Sequence, residues 1–120
     1  MIYTVIKDIA GIRVVQVLVE DIMFDNYEAV FNKIRQAVND DDNLILLDMA
    51  RVRFMDSISL GMLVPLQLYA RRMQGAMAVM NLQPAIADMF KVLSLDKIIR
   101  VYDNVNEAAR DMPQSAGGGT

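Results

Sequence analysis

The sequence predicts an α/β domain built on a small, mixed, mostly parallel β-sheet with about four α-helices. Two observations lead to this fold class. Short runs rich in valine, isoleucine and leucine alternate with longer segments whose apolar residues recur at helical spacing, in the order ββαβαβαβα. The chain has 120 residues, which suits one domain with its own core. Strands that alternate with helices usually pair in parallel through right-handed crossovers.

The N-terminal part is predicted to form a hairpin followed by a helix. Strands are expected at residues 2–6 and 12–19, with the hairpin turn ending at Gly11. The first helix is expected to begin near Asp25, where Asp25 and Glu28 have the spacing of a capping box. The apolar positions behind them share one helical face and are Tyr27, Val30, Phe31, Ile34 and Val38.

The middle of the chain is predicted to form two strands with a helix between them. A continuous apolar run at residues 44–47 predicts a strand that is buried on both faces. The second helix is expected over residues 57–73 and is ended by Gln74 and Gly75. Another short apolar strand is expected at residues 76–81.

The C-terminal part is predicted to hold two more helices and one strand. The third helix opens at Pro84, the last strand covers residues 98–101, and Asn104 caps the final helix. The predicted apolar faces comprise Ile86, Met89, Phe90 and Leu93 in the third helix, and Val105, Ala108, Ala109 and Met112 in the last. The domain is therefore expected over residues 1–112. Residues 113–120 hold no core-forming side chains and are expected to be a flexible tail or a cloning remnant.

The second helix is unusual because it is apolar on nearly all sides. Between residues 58 and 70, Ser59 and Gln67 are the polar residues. Such a helix is either wholly buried or has one apolar side against a partner, and the sequence leaves both open. Pro65 is expected to bend the helix, because proline has no N–H and crowds the carbonyl of Gly61. The apolar pattern resumes afterwards, which predicts that the helix continues past the proline.

The composition excludes several classes of protein. The chain has no cysteine and no histidine, so a disulfide framework, a thiolate or imidazole metal site and a Ser–His–Asp triad are impossible. The net charge of −3 does not indicate a nucleic-acid partner. The N-terminus lacks the pattern of a signal peptide, and the longest apolar stretch is too short to span a bilayer. We therefore expect a cytoplasmic protein without cofactor, metal or membrane insertion.

Three segments carry a family resemblance: residues 46–61 (LLDMARVRFMDSISLG), 76–84 (AMAVMNLQP) and 90–99 (FKVLSLDKII). Together they resemble the STAS domain, and more closely the bacterial anti-sigma factor antagonists, or anti-anti-sigma factors. In that family a buried strand leads into a Phe-Met/Ile-Asp-Ser-Ser-Gly-Leu-Gly turn and then a helix. The resemblance extends over nearly the whole chain. It implies a STAS fold, wound as a βα superhelix, and a partner-switching role without enzymatic activity.

The resemblance also implies a site of regulation. In the family, the serine directly after the aspartate of the turn is phosphorylated by an anti-sigma factor that is a GHKL-type serine kinase. A metal-dependent serine phosphatase removes the phosphate. The unmodified form binds the kinase and so releases a sigma factor. By position this serine is Ser57, with Ser59 as the other hydroxyl nearby. The expected partner-binding residues are Asp56, Ile58, Ser59, Leu60, Gly61 and Met62.

Three departures from the family pattern are visible in the sequence. Residues 58–59 are Ile-Ser where the family has Ser-Gly, and residues 20–23 are Glu-Asp-Ile-Met where it has Gly-x-(Leu/Ile)-Asp. Pro65 is not expected from the family either. The first two departures fall on the expected partner surface and favour a partner other than the usual sporulation-type kinase.

Other functions for the same residues lead to different expectations. Spacing alone favours a structural role, in which Asp56 or Ser57 only caps the helix. A second alternative is an unphosphorylated STAS scaffold subunit of a larger signalling or transport assembly. A small hydrolase with Ser57 as nucleophile is disfavoured, because the chain lacks histidine and a G-x-S-x-G turn.

Overall fold

The computed structural model describes residues 2–115 as a five-stranded sheet with helices on both faces and a small second sheet. The strands are β1 (Thr4–Ile9), β2 (Ile12–Val17), β3 (Asp21–Ile22), β4 (Leu44–Asp48), β5 (Phe54–Met55), β6 (Ala76–Met80) and β7 (Val101–Tyr102). The helices are α1 (Tyr27–Gln36), α2 (Ser57–Gly61), α3 (Leu63–Arg72), α4 (Pro84–Val92) and α5 (Val105–Ser115).

The topology of the sheet confirms the predicted fold class. The five strands lie in the order β1-β2-β4-β6-β7. β1 is antiparallel to β2, and all other neighbours are parallel. The second sheet pairs β3 with β5 in parallel. The sequence predicts neither of these two strands, because each has only 2 residues and shows no periodicity.

A tight turn joins β1 to β2, so the predicted hairpin is confirmed. Ala10 and Gly11 have φ angles of 53° and 80°. Two positive φ values are typical of a type I′ turn, whose twist matches that of the flanking strands. β1 therefore runs as far as Ile9, which lies opposite Ile12, and ends later than predicted.

The start of α1 differs from the prediction, and the capping box of Asp25 and Glu28 is wrong. The N-cap residue is Asn26, whose side chain makes no cap hydrogen bond. Its Oδ1 accepts the Met23 N–H at 2.7 Å, and its Nδ2 donates to the Asp21 carbonyl at 2.9 Å. The Asn26 side chain therefore closes the loop before the helix.

Buried side chains form one layer on each side of the sheet. One layer lies between the sheet and helices α1, α3 and α4, and the other lies under α5. In β4, Ile45 and Leu47 belong to the first layer and Leu46 to the second, which confirms a strand buried on both faces. The buried residues of the predicted helix faces are Val30, Phe31, Ile34, Val38, Ile86, Phe90, Ala108 and Met112.

The predicted second helix is divided into α2 and α3 by an interruption at Met62. Pro65 explains the interruption, because it has no N–H to donate to the carbonyl of Gly61. The chain becomes helical again at once and continues past Pro65 to Arg72, as predicted. The interruption lies before the proline, because the hydrogen bond that Pro65 cannot donate would have been accepted by Gly61, one turn earlier in the helix.

A Schellman motif ends α3, as the Gln74-Gly75 prediction implies. The Gly75 N–H donates to the Ala70 carbonyl at 2.9 Å, and the Gln74 N–H donates to the Arg71 carbonyl at 3.0 Å. Gln74 has the positive φ, 67°, at the position where glycine is usual. Gly75 is needed for a different reason, because a Cβ there would lie 1.9 Å from the Asn43 carbonyl oxygen.

The elements after α3 follow the predicted order with one shift. β6 lies at the predicted position, and Pro84 is the first residue of α4. β7 begins at Val101, at the end of the predicted range 98–101. The delay arises because Leu95–Lys97 form a 3-10 turn that follows α4.

The last helix has the predicted cap and a later end than predicted. Asn104 Oδ1 accepts the Glu107 N–H at 2.9 Å. α5 continues past Met112, the predicted end of the domain, to Ser115. The rest of the predicted tail, residues 116–120, lies outside the described part of the chain.

Candidate functional site

The predicted site lies where two loops meet. β5 pairs with β3, so that Met55 lies opposite Ile22. After β5 the chain enters α2 through Asp56, and after β3 it passes through Met23 and Phe24. The pairing of two very short strands therefore brings together segments that are distant in the sequence.

Asp56 links these two loops. Its Oδ1 accepts the Ser59 N–H at 2.8 Å, which makes Asp56 the N-cap of α2. Its Oδ2 accepts the Phe24 N–H at 2.7 Å. A single carboxylate thus satisfies one helix N–H and one loop N–H through charge-assisted hydrogen bonds.

The same contacts lower the pKa of Asp56 below its ordinary value. The largest effect comes from the Ser59 side chain, followed by the Ser59 N–H; the Phe24 N–H adds to it, and desolvation opposes it. The buried Ser59 hydroxyl does not complete a well-formed hydrogen bond, so the two N–H groups are what hold the carboxylate in place. The folded state therefore favours the charged form of Asp56.

We expect the stabilising effect of the Asp56 charge to disappear in acid. Because its pKa is lower in the folded state, the contribution is complete above the unfolded-state value of about 4 and is lost as the pH falls through the folded-state value. Asp56→Asn keeps one side-chain oxygen that can cap α2. Its NH2 group cannot accept a hydrogen bond, so the N–H of Ser59 or that of Phe24 loses its acceptor. The variant should melt below the wild type at neutral pH, and thermal melts should show the gap shrinking below about pH 4. A gap that stays constant at every pH below about 4 at which both proteins still fold would contradict this.

Five of the predicted site residues have accessible surface, among them Asp56, which is half-buried. Ser57 is the first residue of α2, and it is exposed. Ile58 is 54% exposed, Gly61 is exposed and Met62 is half-buried. A kinase or a binding partner can therefore reach the predicted phosphorylation site without unfolding the domain.

Two of the predicted partner-binding residues are buried, and for them the prediction is wrong. Ser59 and Leu60 have no exposed surface, because the first turn of α2 directs both side chains into the domain. Ser59 is therefore also unsuitable as the second phosphorylation site. In a helix that is apolar on nearly all sides, no periodicity indicates which side is buried.

Further exposed apolar side chains lie on the two segments that the β3–β5 pair and Asp56 bring to the start of α2. Phe24 is 69% exposed, and Phe54 and Met23 are also exposed. Phe24 is tied to the start of α2 through its N–H, and Phe54 belongs to β5, just before α2. We call Met23, Phe24, Phe54, Ser57 and Ile58 the α2 face.

The α2 face is an open surface. A cavity of about 420 Å³ lies between α1 and α3, and its lining includes Met62 and Pro65 but no residue of the α2 face. Within residues 2–115, no cluster of three or more acidic side chains is placed to hold a metal ion. No helix in the same range is long and apolar enough to cross a membrane. An open apolar surface with aromatic side chains suits contact with another macromolecule.

Known relatives share both sequence and fold with this chain. A Thermotoga neapolitana protein, named as a homologue of the anti-sigma factor antagonist TM1081, is 29% identical over 70 residues. The match covers 58% of this chain and 62% of that protein, which is less than two thirds of its length.

Solved structures match over a larger share of the chain. The anti-sigma-factor antagonist (STAS) domain protein of Planctomyces limnophilus has a TM-score of 0.79 and 18% identity, over 92% of this chain and 97% of that one. The Bacillus cell fate determinant SpoIIAA in its phosphorylated form has a TM-score of 0.62 and 17% identity, over 89% and 97%. At these identities the likeness shows a shared fold. The family model of the STAS domain matches residues 3–108, and the chain therefore belongs to the STAS domain family.

Proposed function

We propose that this STAS domain is an anti-sigma factor antagonist in a phosphorylation-controlled partner switch. With Ser57 unphosphorylated, the α2 face binds a GHKL-type anti-sigma factor that is also a serine kinase, and a sigma factor is released. Phosphorylation of Ser57 by this kinase ends the binding, and a metal-dependent serine phosphatase restores it. The domain acts in the cytoplasm as a binding protein, and ATP and metal are needed by its partners.

The observation that carries the proposal is an exposed hydroxyl among exposed apolar side chains. Ser57 is accessible at the first position of α2, beside Ile58 and close to the loop that holds Phe24. Exposed apolar patches on a soluble domain mark interaction sites, and aromatic residues contribute strongly to such interfaces. A phosphate on Ser57 would add about −1.5 to −2 charges to this surface.

The arrangement of polar and apolar residues in α2 and α3 also supports a partner surface. The polar residues Ser59 and Gln67 are buried, whereas the apolar residues Ile58 and Leu68 are about half exposed. Gln67 makes hydrogen bonds to two backbone groups inside the domain. A helix facing only water would have the opposite arrangement. We therefore expect a partner to cover the exposed apolar side chains of α2.

Two departures from the family pattern indicate the chemistry of that partner. Met23 stands where the pattern has an aspartate, and Ile58 stands where it has a second serine. Both side chains are exposed, so each departure exchanges a polar group for an apolar one on the surface. The partner is therefore expected to present an apolar pocket to this region in place of a polar or basic contact.

The known relatives support the same role. The names of the Thermotoga and Planctomyces proteins describe anti-sigma factor antagonists, and SpoIIAA has a structure in its phosphorylated form. These names refer to those proteins, and we extend their role to this chain as part of the proposal.

The test is phosphorylation by the GHKL-type kinases of the native organism. We expect mass spectrometry to find one phosphate, on Ser57, after incubation of the domain with ATP and the cognate kinase. Ser57→Ala should take up none. Ser94→Asn removes a different exposed serine, at a left-handed position that asparagine tolerates, and should be modified like the wild type. Phosphate at another residue, or none with any kinase of this type, would overturn the proposal.

The alternative, an unphosphorylated scaffold subunit of a larger assembly, would use the same apolar surface without a modification. The two functions differ in the amount of phosphate on Ser57 in protein isolated from native cells. A phosphorylated fraction that changes with growth conditions supports the partner switch. Stable binding of one assembly with no phosphate under any condition supports the scaffold.

A further inference from the structure

The two edges of the five-stranded sheet differ greatly in length. β7 forms one edge and has 2 residues, whereas β1 forms the other edge and has 6. Short edge strands are a common protection against unwanted pairing, and a long apolar edge invites it. β1 presents three exposed apolar side chains next to the charged Lys7 and Asp8: Ile6 is 45% exposed, and Val5 and Ile9 are also exposed. Within residues 2–115 no other strand covers the outer edge of β1.

The register of the hairpin determines which backbone groups of β1 point outward. The Leu18 N–H donates to the Tyr3 carbonyl at 2.8 Å, so Tyr3 points its backbone groups toward β2. Inward and outward residues alternate in an antiparallel pair, and the type I′ turn at the other end requires Ile9 to point inward as well. The backbone N–H and C=O groups of Thr4, Ile6 and Asp8 therefore lie on the open edge.

We propose that β1 pairs with β1 of a second copy of this chain. In the expected antiparallel pair a two-fold axis passes beside Ile6, so that Ile6 lies opposite the partner's Ile6. Thr4 then lies opposite the partner's Asp8, and Asp8 opposite the partner's Thr4. All outward groups of both strands form hydrogen bonds, and the two sheets become one continuous ten-stranded sheet.

Among the registers whose two-fold axis passes beside an outward residue, the side chains favour the one centred on Ile6. At the centre two isoleucines meet, and Val5 lies opposite the partner's Lys7, so no like charges are directly opposed. A register centred on Asp8 would place two carboxylates opposite each other, which destabilises a pair. A register centred on Thr4 would leave Asp8 with no residue of the partner's strand opposite it. One strand pair is smaller than a standard interface, so we expect a weak dimer that forms at micromolar concentrations or above.

Single cysteines test the register, because the natural chain has none. In the proposed pair the two copies of residue 6 have Cα atoms about 5.5 Å apart, which suits a disulfide. The two copies of residue 4 are about 14 Å apart, beyond the reach of a disulfide. Under mild oxidation Ile6→Cys should cross-link much faster than Thr4→Cys or Val92→Cys, the last being an exposed control on α4. Equal rates in all three variants, or a faster reaction of Thr4→Cys, would overturn the proposal.

Charge exchange at the same position provides a second test. Ile6→Lys and Ile6→Glu would each place like charges opposite each other and should be monomeric in sedimentation velocity. A mixture of the two should associate again, because lysine then lies opposite glutamate. A wild type that is monomeric at several hundred micromolar, or a mixture that associates no more than its components, would overturn the proposal. Neither outcome affects the proposed role of Ser57, which concerns a different surface.

Discussion

Ser57→Asp is expected to weaken binding of the partner at least 100-fold while the domain remains folded. Ser57 is exposed and begins α2, where free N–H groups favour a negative charge, while the carboxylate of Asp56 opposes it. These effects oppose each other, so the free energy of unfolding should change by only about 0.5 kcal/mol. A partner packed against Ile58 and Phe24 would have to desolvate the new charge. Leaving a buried charge unpaired costs about 3–5 kcal/mol, which corresponds to a loss of affinity of 100-fold or more.

Calorimetric titration with the cognate GHKL-type kinase measures this effect, and thermal melts measure the folding of each variant. Ser57→Ala changes the same side chain without adding charge, and it should bind like the wild type and fail to respond to the kinase. Phe24→Ser removes apolar surface from the α2 face and should weaken binding about 10- to 100-fold, because a buried phenylalanine contributes about 1.5–3 kcal/mol. If Ser57→Asp bound as tightly as the wild type, phosphorylation would not control the partner through this surface.

The order of elements and the parallel sheet could be predicted because the central strands have a clear sequence signal. The run at residues 44–47 is apolar without interruption, and the structure places its side chains in both core layers. The face of α1 was equally predictable, since its buried residues recur with helical period. The cap of α1 was not, because the side chain of Asn26 bonds to the preceding loop in place of the helix.

The part of the site that contains Phe24 depends on long-range contacts, and such contacts leave no local signal in the sequence. β3 and β5 have 2 residues each, and only their mutual pairing makes them strands. This pairing and one hydrogen bond of Asp56 bring Phe24 to the start of α2. The departure of residues 20–23 from the family pattern was the available hint, because it pointed to the loop that contains Phe24. Ser57 itself could be predicted, since the turn around it has a recognisable motif.

The burial of Ser59 and Leu60 shows why the exposed set could not be predicted completely. A helix with apolar residues on nearly all sides has no polar face that would mark the side toward water. Its orientation is determined by the N-cap of Asp56 and by the interruption before Pro65. Both features concern backbone hydrogen bonds, and neither of them alone indicates in the sequence which side of the helix is buried.

Gly75→Ala is expected to destabilise the domain by about 2–4 kcal/mol. A Cβ at this position would lie 1.9 Å from the carbonyl oxygen of Asn43, far inside any real contact, so the backbone of Asn43 would have to move. That carbonyl accepts the Ala76 N–H at 3.0 Å, and the Asn43 side chain donates to the Met73 carbonyl at 2.8 Å. Moving Asn43 would strain both hydrogen bonds, each worth about 0.5–1.5 kcal/mol, in addition to the overpacking cost of about 1–3 kcal/mol.

Urea unfolding and thermal melts measure the effect, which should lower the melting temperature by about 10 °C in a domain of this size. Gly61→Ala is the matched control, because no atom lies within 4 Å of the Cβ that it would add, and its φ is not in the left-handed region. This variant should be as stable as the wild type or more stable by up to about 1 kcal/mol, since alanine is the better helix former.

Gly75→Ala should remain able to bind the partner at low temperature, because Gly75 lies at the end of α3, whereas the α2 face lies at the other end of the predicted helix. A melting temperature of Gly75→Ala within about 2 °C of the wild type would contradict the prediction. It would mean that the backbone of Asn43 can move away from residue 75 at little cost.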